Sequence, residues 1–121
     1  MNVQGGTMVL LQLREILQIL NINRSRFNYI AQKVGIRADI KQASGPGTMN
    51  IYSFEALMLF AIANLLVIEQ FRHKRIKEII SKIDGQDNIF EVLKNKYLFI
   101  KIDVLKIKKD LNNKIKDITP E

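Results

Sequence analysis

The sequence contains no cysteine and no tryptophan, and its 121 residues include two prolines and a single histidine, His73. Without cysteine, the chain has no disulfide, no thiolate metal site and no cysteine nucleophile. A zinc site usually takes about four ligands, mostly His or Cys, so a single histidine predicts no metal site. The motifs of a Ser-His-Asp triad, a phosphate-binding loop and a dinucleotide-binding loop are missing as well. We therefore expect a protein that is not an enzyme and that uses no cofactor.

Acidic residues are scarce too: 12 Asp and Glu stand against 19 Lys and Arg, which gives a net charge of +7. A basic excess in a small protein favours polyanionic partners, meaning nucleic acid or an anionic membrane surface. A lysine-rich surface that only maintains solubility is the alternative. The excess is greatest in residues 1–52, which is where we expect the contact with the polyanion.

Long apolar runs are missing as well. The longest run covers residues 56–68 and is interrupted by Asn64, so it is shorter than the roughly 20 residues that cross a bilayer. The first seven residues are polar and lack the basic region of a secretory signal. These features predict a cytoplasmic protein without a membrane segment.

Two short helices are predicted near the start of the chain, over residues 9–20 and 24–34, and Gly35 ends the second. Each has apolar residues at three- and four-residue steps, which indicates one buried face. The predicted buried positions are Leu10, Leu13, Leu17 and Leu20 in the first helix and Phe27, Ile30, Ala31 and Val34 in the second.

The next segment, residues 36–52, has the pattern of two short extended pieces around a turn at residues 44–48, together a small hairpin or wing. Ser53 is expected to cap a helix that runs to Ile68. That helix is apolar on nearly all sides, so we expect it at the centre of the core. Another amphipathic helix is predicted over residues 72–83.

The last segment, residues 85–121, differs in pattern. Asn88 and Glu91 stand at capping-box spacing, which predicts a short helix over residues 88–95. Aromatic and β-branched residues predict a strand over residues 97–102 that pairs across a dimer or covers an edge of the wing. A lysine-rich helix follows, and its narrow apolar stripe is typical of a dimerisation helix. The stripe consists of Val104, Ile107, Leu111, Ile115 and Ile118.

The two helices of residues 9–34 have the pattern of a helix-turn-helix, whose second helix presents a polar, cationic face to the major groove of DNA. A plain helical hairpin of a bundle would show the same pattern. Tyr52 could contact phosphate or pack within the wing. The expected DNA-binding residues are Arg24, Ser25, Arg26, Asn28, Tyr29, Lys33, Arg37, Lys41, Gly47 and Tyr52.

The order of these elements resembles that of the MerR-type winged helix-turn-helix family, over about residues 9–83. The segments that carry the likeness are, in chain order, residues 13–34, Gly35-Ile36, Gly45 to Ser53, and Phe71 with Ile76 to Ile80. The resemblance implies a dimer that binds two half-sites, with the second helix in the major groove and the wing along the phosphates.

Three positions depart from the pattern of that family. Asn50 stands where the wing usually has arginine, and Asn28 stands where the reading helix usually has arginine. Gln70 stands where a glycine usually precedes Phe71. The two missing cations favour an alternative in which the fold serves protein interaction without DNA binding.

We therefore predict a mainly α protein with a small β wing: a MerR-like winged helix-turn-helix domain over residues 8–84, then a C-terminal strand and dimerisation helix within residues 85–121. The predicted function is sequence-specific binding of double-stranded DNA as a homodimeric transcriptional regulator. A second alternative is a protein of the membrane surface that uses the basic C-terminal helix.

Overall fold

The computed structural model describes residues 9–118, apart from the side chain of Leu93. Within these residues lie five α-helices and a two-stranded antiparallel sheet. The helices are α1 (Leu13–Leu20), α2 (Arg24–Tyr29), α3 (Phe54–Ile68), α4 (His73–Ile83) and α5 (Val104–Ile118), and the strands are β1 (Ile89–Asn95) and β2 (Leu98–Asp103). α2 continues directly into a π-helical turn, Ile30–Val34. The fold is mixed α/β, and it is compatible with a layout of helices plus a wing.

α1 begins later than predicted because the residues before it are extended. Leu11 and Tyr52 pair through two backbone hydrogen bonds, Leu11 N to Tyr52 O at 2.9 Å and Tyr52 N to Leu11 O at 2.8 Å. Gln12 then forms the N-cap, and its backbone N donates to Glu15 Oε1 at 2.8 Å. The prediction of a helix from Val9 is therefore wrong in its first turn.

The buried face of α1 also differs from the prediction. Its buried residues are Ile16 and Ile19, whereas Leu10 is exposed. The sequence of α1 carries two adjacent apolar stripes, one of isoleucine and one of leucine, and periodicity alone does not distinguish which faces inward. The leucines that lie half-buried at the margin of the core are Leu13, Leu17 and Leu20.

The second helix agrees with the prediction in its span and its inner face. Asn23 is the N-cap, and its Oδ1 accepts a hydrogen bond from Arg26 N at 2.8 Å. Gly35 ends the π-helical turn with φ 89°, in the left-handed region that glycine adopts without strain. Of the predicted inner residues, Ala31 is half-buried and the rest are buried, namely Phe27, Ile30 and Val34.

The loop of residues 41–51 forms the predicted small hairpin. Ile51 N donates to Lys41 O at 2.8 Å at its base, and Thr48 N donates to Gly45 O at 3.2 Å at its tip. Gly47 has φ 81° and follows proline, which are the features of a type II turn. The hairpin is thus a tight turn closed by an isolated bridge rather than a long ladder.

α3 lies at the centre of the core, as predicted, and begins at Ser53. Ser53 Oγ accepts a hydrogen bond from Ala56 N at 3.1 Å. The carboxylate of Asp39 holds this cap in turn, because it accepts from Ser53 N at 2.8 Å and also from Ser53 Oγ. An acidic residue of the 36–40 segment therefore fixes the start of the central helix.

α3 ends in a Schellman motif at the position where the resemblance predicts glycine. Phe71 N donates to Leu66 O at 3.0 Å and Gln70 N donates to Val67 O at 2.9 Å. Gln70 adopts φ 65° there. The backbone thus takes the left-handed conformation that glycine favours, although the side chain is glutamine.

The segment after α4 departs from the prediction. Residues predicted as a short helix form β1, and Asn88 Oδ1 accepts from the adjacent Ile89 N at 2.9 Å instead of capping a helix. β1 pairs with β2 of the same chain, with Phe90 opposite Ile102. The predicted strand, β2, therefore pairs with its neighbour in sequence and not with the wing.

The C-terminal elements share one hydrophobic core with the rest of the chain. Val92 of β1, Ile102 of β2, and Val104 and Leu111 of α5 belong to the same buried cluster as α3. α5 contacts both α1 and α3. Its span, Val104–Ile118, agrees with the predicted helix, but it packs on its own chain rather than standing apart from it.

Candidate nucleic-acid interface

Three aromatic rings join α2, the end of the 41–51 loop and α3. Phe27 stacks on Phe60 with ring centroids 4.6 Å apart, and Tyr52 meets both rings edge-on, at 6.0 Å from Phe27 and 5.9 Å from Phe60. All three side chains are buried. They fix α2 relative to the loop, so the polar residues on the outer side of α2 stand on a rigid base.

Tyr52 belongs to this aromatic cluster and is only 4% exposed. Burial raises the pKa of its phenol, and a hydrogen bond with the Asn50 side chain acts in the opposite direction. The Tyr52 ring therefore packs against Phe27 of α2 and Phe60 of α3, which favours a packing role over the predicted phosphate contact. Its aromatic ring is buried and contributes contacts to the core.

Most of the other predicted contacts on the second helix are exposed. They lie on the solvent-facing side of α2 and the π-helical turn. Tyr29 is 38% exposed and keeps part of its ring against the protein. The exposed residues of this set are Arg24, Ser25, Asn28, Tyr29 and Lys33.

A groove of about 530 Å³ separates the outer side of α2 from the 41–51 loop. Its polar side chains are amides, one guanidinium and the phenol of Tyr52, and among the described residues that line it none is acidic. Lys41 and Gly47 lie exposed in the loop itself. The polar side chains that line the groove are Asn28, Gln32, Arg37, Gln42, Asn50 and Tyr52. The structure thus places predicted contacts from the helix and the following segment around one concave surface.

Asn50 is a structural residue of the loop that sequence reasoning treated only as a missing cation. Its Oδ1 accepts a hydrogen bond from Ala43 N at 2.7 Å, which ties the two arms of the loop together. The turn is held further by Thr48, whose Oγ1 accepts from Ser44 N at 2.9 Å. The loop is therefore closed by neutral side chains, and Lys41 is its one charged residue.

Charge on this part of the chain is nearly all of one sign. Residues 21–52 contain five Lys and Arg and a single acid, Asp39. Asp39 is committed to the cap of α3 through Ser53. The surface formed by the outer side of α2 and the 41–51 loop, termed the α2–loop surface below, is therefore positive without interleaved acids.

Arg26 is placed differently from the other predicted contacts. It is half-buried, and its Nη1 donates to Asn64 Oδ1 of α3 at 2.6 Å. Sequence reasoning did not identify Asn64 as the partner of Arg26. The available signal was that this amide interrupts the apolar run of α3.

A scan against models of known protein families finds no match, and a search of curated proteins finds none. The resemblance to the MerR-type family therefore rests on the order of the elements and on the residues that carry it. Across residues 9–118, no helix combines the length and the apolar character needed to cross a bilayer. In the same stretch, no group of three or more His, Asp and Glu side chains is placed to hold a metal ion.

The residues of the α5 stripe that was predicted to form the dimer interface differ in their burial. Val104 and Leu111 are buried within their own chain, so in this arrangement they do not reach a second copy. Ile107, Ile115 and Ile118 are half-exposed. A periodic stripe that covers the helix's own domain has the same sequence pattern as one that pairs with a twin helix.

Proposed function

We propose that the protein binds double-stranded DNA in a sequence-specific manner and acts as a transcriptional regulator. In this proposal, the domain of residues 8–84 acts as a winged helix-turn-helix. α2 and the π-helical turn enter the major groove and the 41–51 loop follows the phosphates. The observation that carries the proposal is the α2–loop surface, which is cationic, free of interleaved acids and fixed on a buried aromatic cluster. The protein is proposed to act in the cytoplasm and not to be an enzyme.

The chemistry of the α2–loop surface suits both parts of DNA recognition. Amide side chains such as Asn28 and Gln32 pair with the adenine edge in the major groove, and arginine pairs with guanine. Lys33 and Lys41 supply positive charge for phosphate oxygens, which fix the register of a protein on the duplex. The backbone of Gly47 at the loop tip has no side chain that would keep it from the phosphates.

A homodimer is the second part of the proposal. The family resemblance implies two half-sites, and α5 carries the half-exposed residues Ile107, Ile115 and Ile118, which also pack against the core of their own chain. Sedimentation of the full chain over a range of concentrations tests this part by itself. A monomer at all concentrations would contradict it and leave DNA binding by single chains possible.

Titration of a labelled duplex followed by fluorescence anisotropy tests the DNA-binding proposal. We expect binding at about 50 mM salt that weakens steeply towards about 200 mM, because each neutralised phosphate releases counterions. Selection from random duplexes should then yield a preferred site, and for a homodimer two half-sites about 10 base pairs apart or a multiple of that. No binding to any duplex at the lower salt would contradict the proposal.

One observation favours protein interaction as a second candidate function. The tip of the β1–β2 hairpin exposes aromatic and aliphatic side chains: Tyr97 is 77% exposed, Phe99 is 66% exposed and Leu98 is 53% exposed. Exposed apolar groups of this kind mark contact sites for partners. The anisotropy titration separates the two candidates, because an interaction module without DNA binding leaves the duplex unbound at every salt concentration.

A further inference from the structure

Asn64 is the one polar residue in the apolar run of α3 between residues 56 and 68. It is half-buried, and an amide in such a place is disfavoured unless it is hydrogen-bonded. Its Oδ1 accepts the hydrogen bond from Arg26 Nη1, at 2.6 Å. The central helix, α3, thus forms a hydrogen bond with one specific cation of α2, Arg26.

Arg26 and Asn64 line a second groove of about 550 Å³, beside α2 and separate from the groove that borders the 41–51 loop. Among the described residues that line it there is one cation, and none is acidic. Hydroxyl and amide groups provide further hydrogen-bond donors. The lining residues are Asn21, Ile22, Asn23, Ser25, Arg26, Tyr29, Asn64 and Ile68. The chemistry of this groove suits an oxygen anion.

The partner of Arg26 is an amide rather than a carboxylate, and this difference matters. A carboxylate would hold the guanidinium and also neutralise it, whereas Asn64 holds it and leaves its charge intact. The guanidinium is planar and carries further N–H donors on Nε and Nη2. Fixing Nη1 on Asn64 therefore sets the plane in which the other donors meet a ligand.

We propose that Arg26 binds a phosphodiester oxygen of the DNA backbone in this groove and that Asn64 is its positioning residue. Ser25 and Tyr29 line the same groove, and their hydroxyls supply further hydrogen-bond donors for a phosphate. The proposal rests on the DNA-binding function above, and it adds a contact on the side of α2 away from the loop. Pre-orienting the arginine lowers the entropy that is lost when it binds.

The test compares R26A, N64A and the double variant R26A/N64A with wild type in the duplex titration. R26A removes a phosphate contact, so the negative slope of log K against log salt should become shallower by about 0.9. N64A keeps the charge but frees the side chain, so we expect roughly twofold to tenfold weaker binding with the slope little changed. The double variant should bind no more weakly than R26A, because Asn64 acts through Arg26.

Three further variants make the result specific. N64L suits an apolar helix and checks that the effect of N64A is not a loss of folding; it should weaken binding as N64A does. N64D holds Arg26 but neutralises it, so it should lower the salt slope as R26A does. R24A removes an exposed cation of the same helix, and combined with N64A it should give additive losses.

The outcomes distinguish the two proposals. If wild type binds the duplex and both N64A and N64L bind equally well, Asn64 has no positioning role and the inference is overturned while DNA binding stands. If wild type binds no duplex, the function fails and titration with inorganic phosphate, observed by NMR of the arginine side-chain nitrogens, decides the site. Saturable chemical-shift changes at Arg26 that are weaker in N64A would support an anion site at Arg26. Signals that do not change with phosphate would overturn that site.

Discussion

The α2–loop surface and the C-terminal segment are both basic, but they differ in how their charges are arranged. Residues 21–52 have five Lys and Arg with one acid, Asp39, which accepts hydrogen bonds from the N-cap of α3. Residues 85–118 have eight Lys with five acids between them. Lys108 Nζ, for example, lies 2.6 Å from Asp87 Oδ1. Interleaved acids weaken the attraction for a polyanion, so the placement of charge identifies the candidate DNA surface better than the number of lysines does.

The two regions also differ in where their aromatic side chains lie. Phe27, Tyr52 and Phe60 are buried beneath the α2–loop surface, whereas Tyr97 and Phe99 of the hairpin are exposed. Buried rings hold neighbouring elements in one arrangement, and exposed rings offer contact area to a partner. The first region is therefore built as a rigid polar surface and the second as an apolar contact surface.

The largest effect is expected from Phe60→Ala, which removes the centre of the aromatic cluster. Phe60 is fully buried and stacks on Phe27. Truncating such a ring lowers the free energy of unfolding by about 3–5 kcal/mol. Urea denaturation measures the loss. Phe99→Ala is the matched control, and because its ring is exposed it should change stability by less than about 0.5 kcal/mol. Equal losses at the two positions would break the contrast between buried and exposed rings.

Leu111→Ala tests whether α5 belongs to the common core. Leu111 is buried, so the substitution should lower the free energy of unfolding by about 2–5 kcal/mol. The loss should not depend on protein concentration, because the contacts are made within one chain. Leu105→Ala, at an exposed position of the same helix, is the control and should have little effect. A loss of stability that appears only at high protein concentration would instead indicate that Leu111 lies in a dimer interface.

The elements that the sequence predicts well are those whose signals are local. Asn23, Gly35 and Ser53 end or begin helices as predicted, because caps depend on the few residues around them. The prediction of a helix at β1 was wrong because the strand depends on pairing with β2. The spacing of Asn88 and Glu91 matches that of a helix start, although the segment is a strand. Periodicity likewise did not show which of the two apolar stripes of α1 is buried, because that depends on the elements against which α1 packs.

The candidate site was predictable in outline but not in its contacts. The exposed cations Arg24, Lys33 and Arg37 follow from the outer face of one helix and the segment after it. The tether from Asn64 to Arg26 joins residues far apart in the chain, and a single sequence contains no measure of that proximity. The burial of Tyr52 likewise depends on α3.

Matched double variants test whether charge placement controls duplex binding. K33A/K41A removes two cations from the α2–loop surface, and K109A/K114A removes two exposed cations from α5. The net charge falls equally in both. We expect the first pair to reduce the slope of log K against log salt by about 1.8 and the second to leave it nearly unchanged. Equal slopes would show that only the total charge of the protein matters.

The smallest effect concerns the pH dependence of stability, through Tyr52. Burial raises the pKa of this phenol above its ordinary value of 10.0, so the folded state favours the neutral form. The stabilisation is complete below that ordinary value and is lost as the pH rises through the raised pKa. Lysines titrate in the same range, so the measured quantity is the difference between wild type and Tyr52→Phe in urea denaturation at a series of pH values. Wild type should lose stability more steeply than the variant above pH 10.0; parallel curves would mean that the phenol ionises as easily in the folded chain as in the unfolded one, and the aromatic cluster would then have to be open to water.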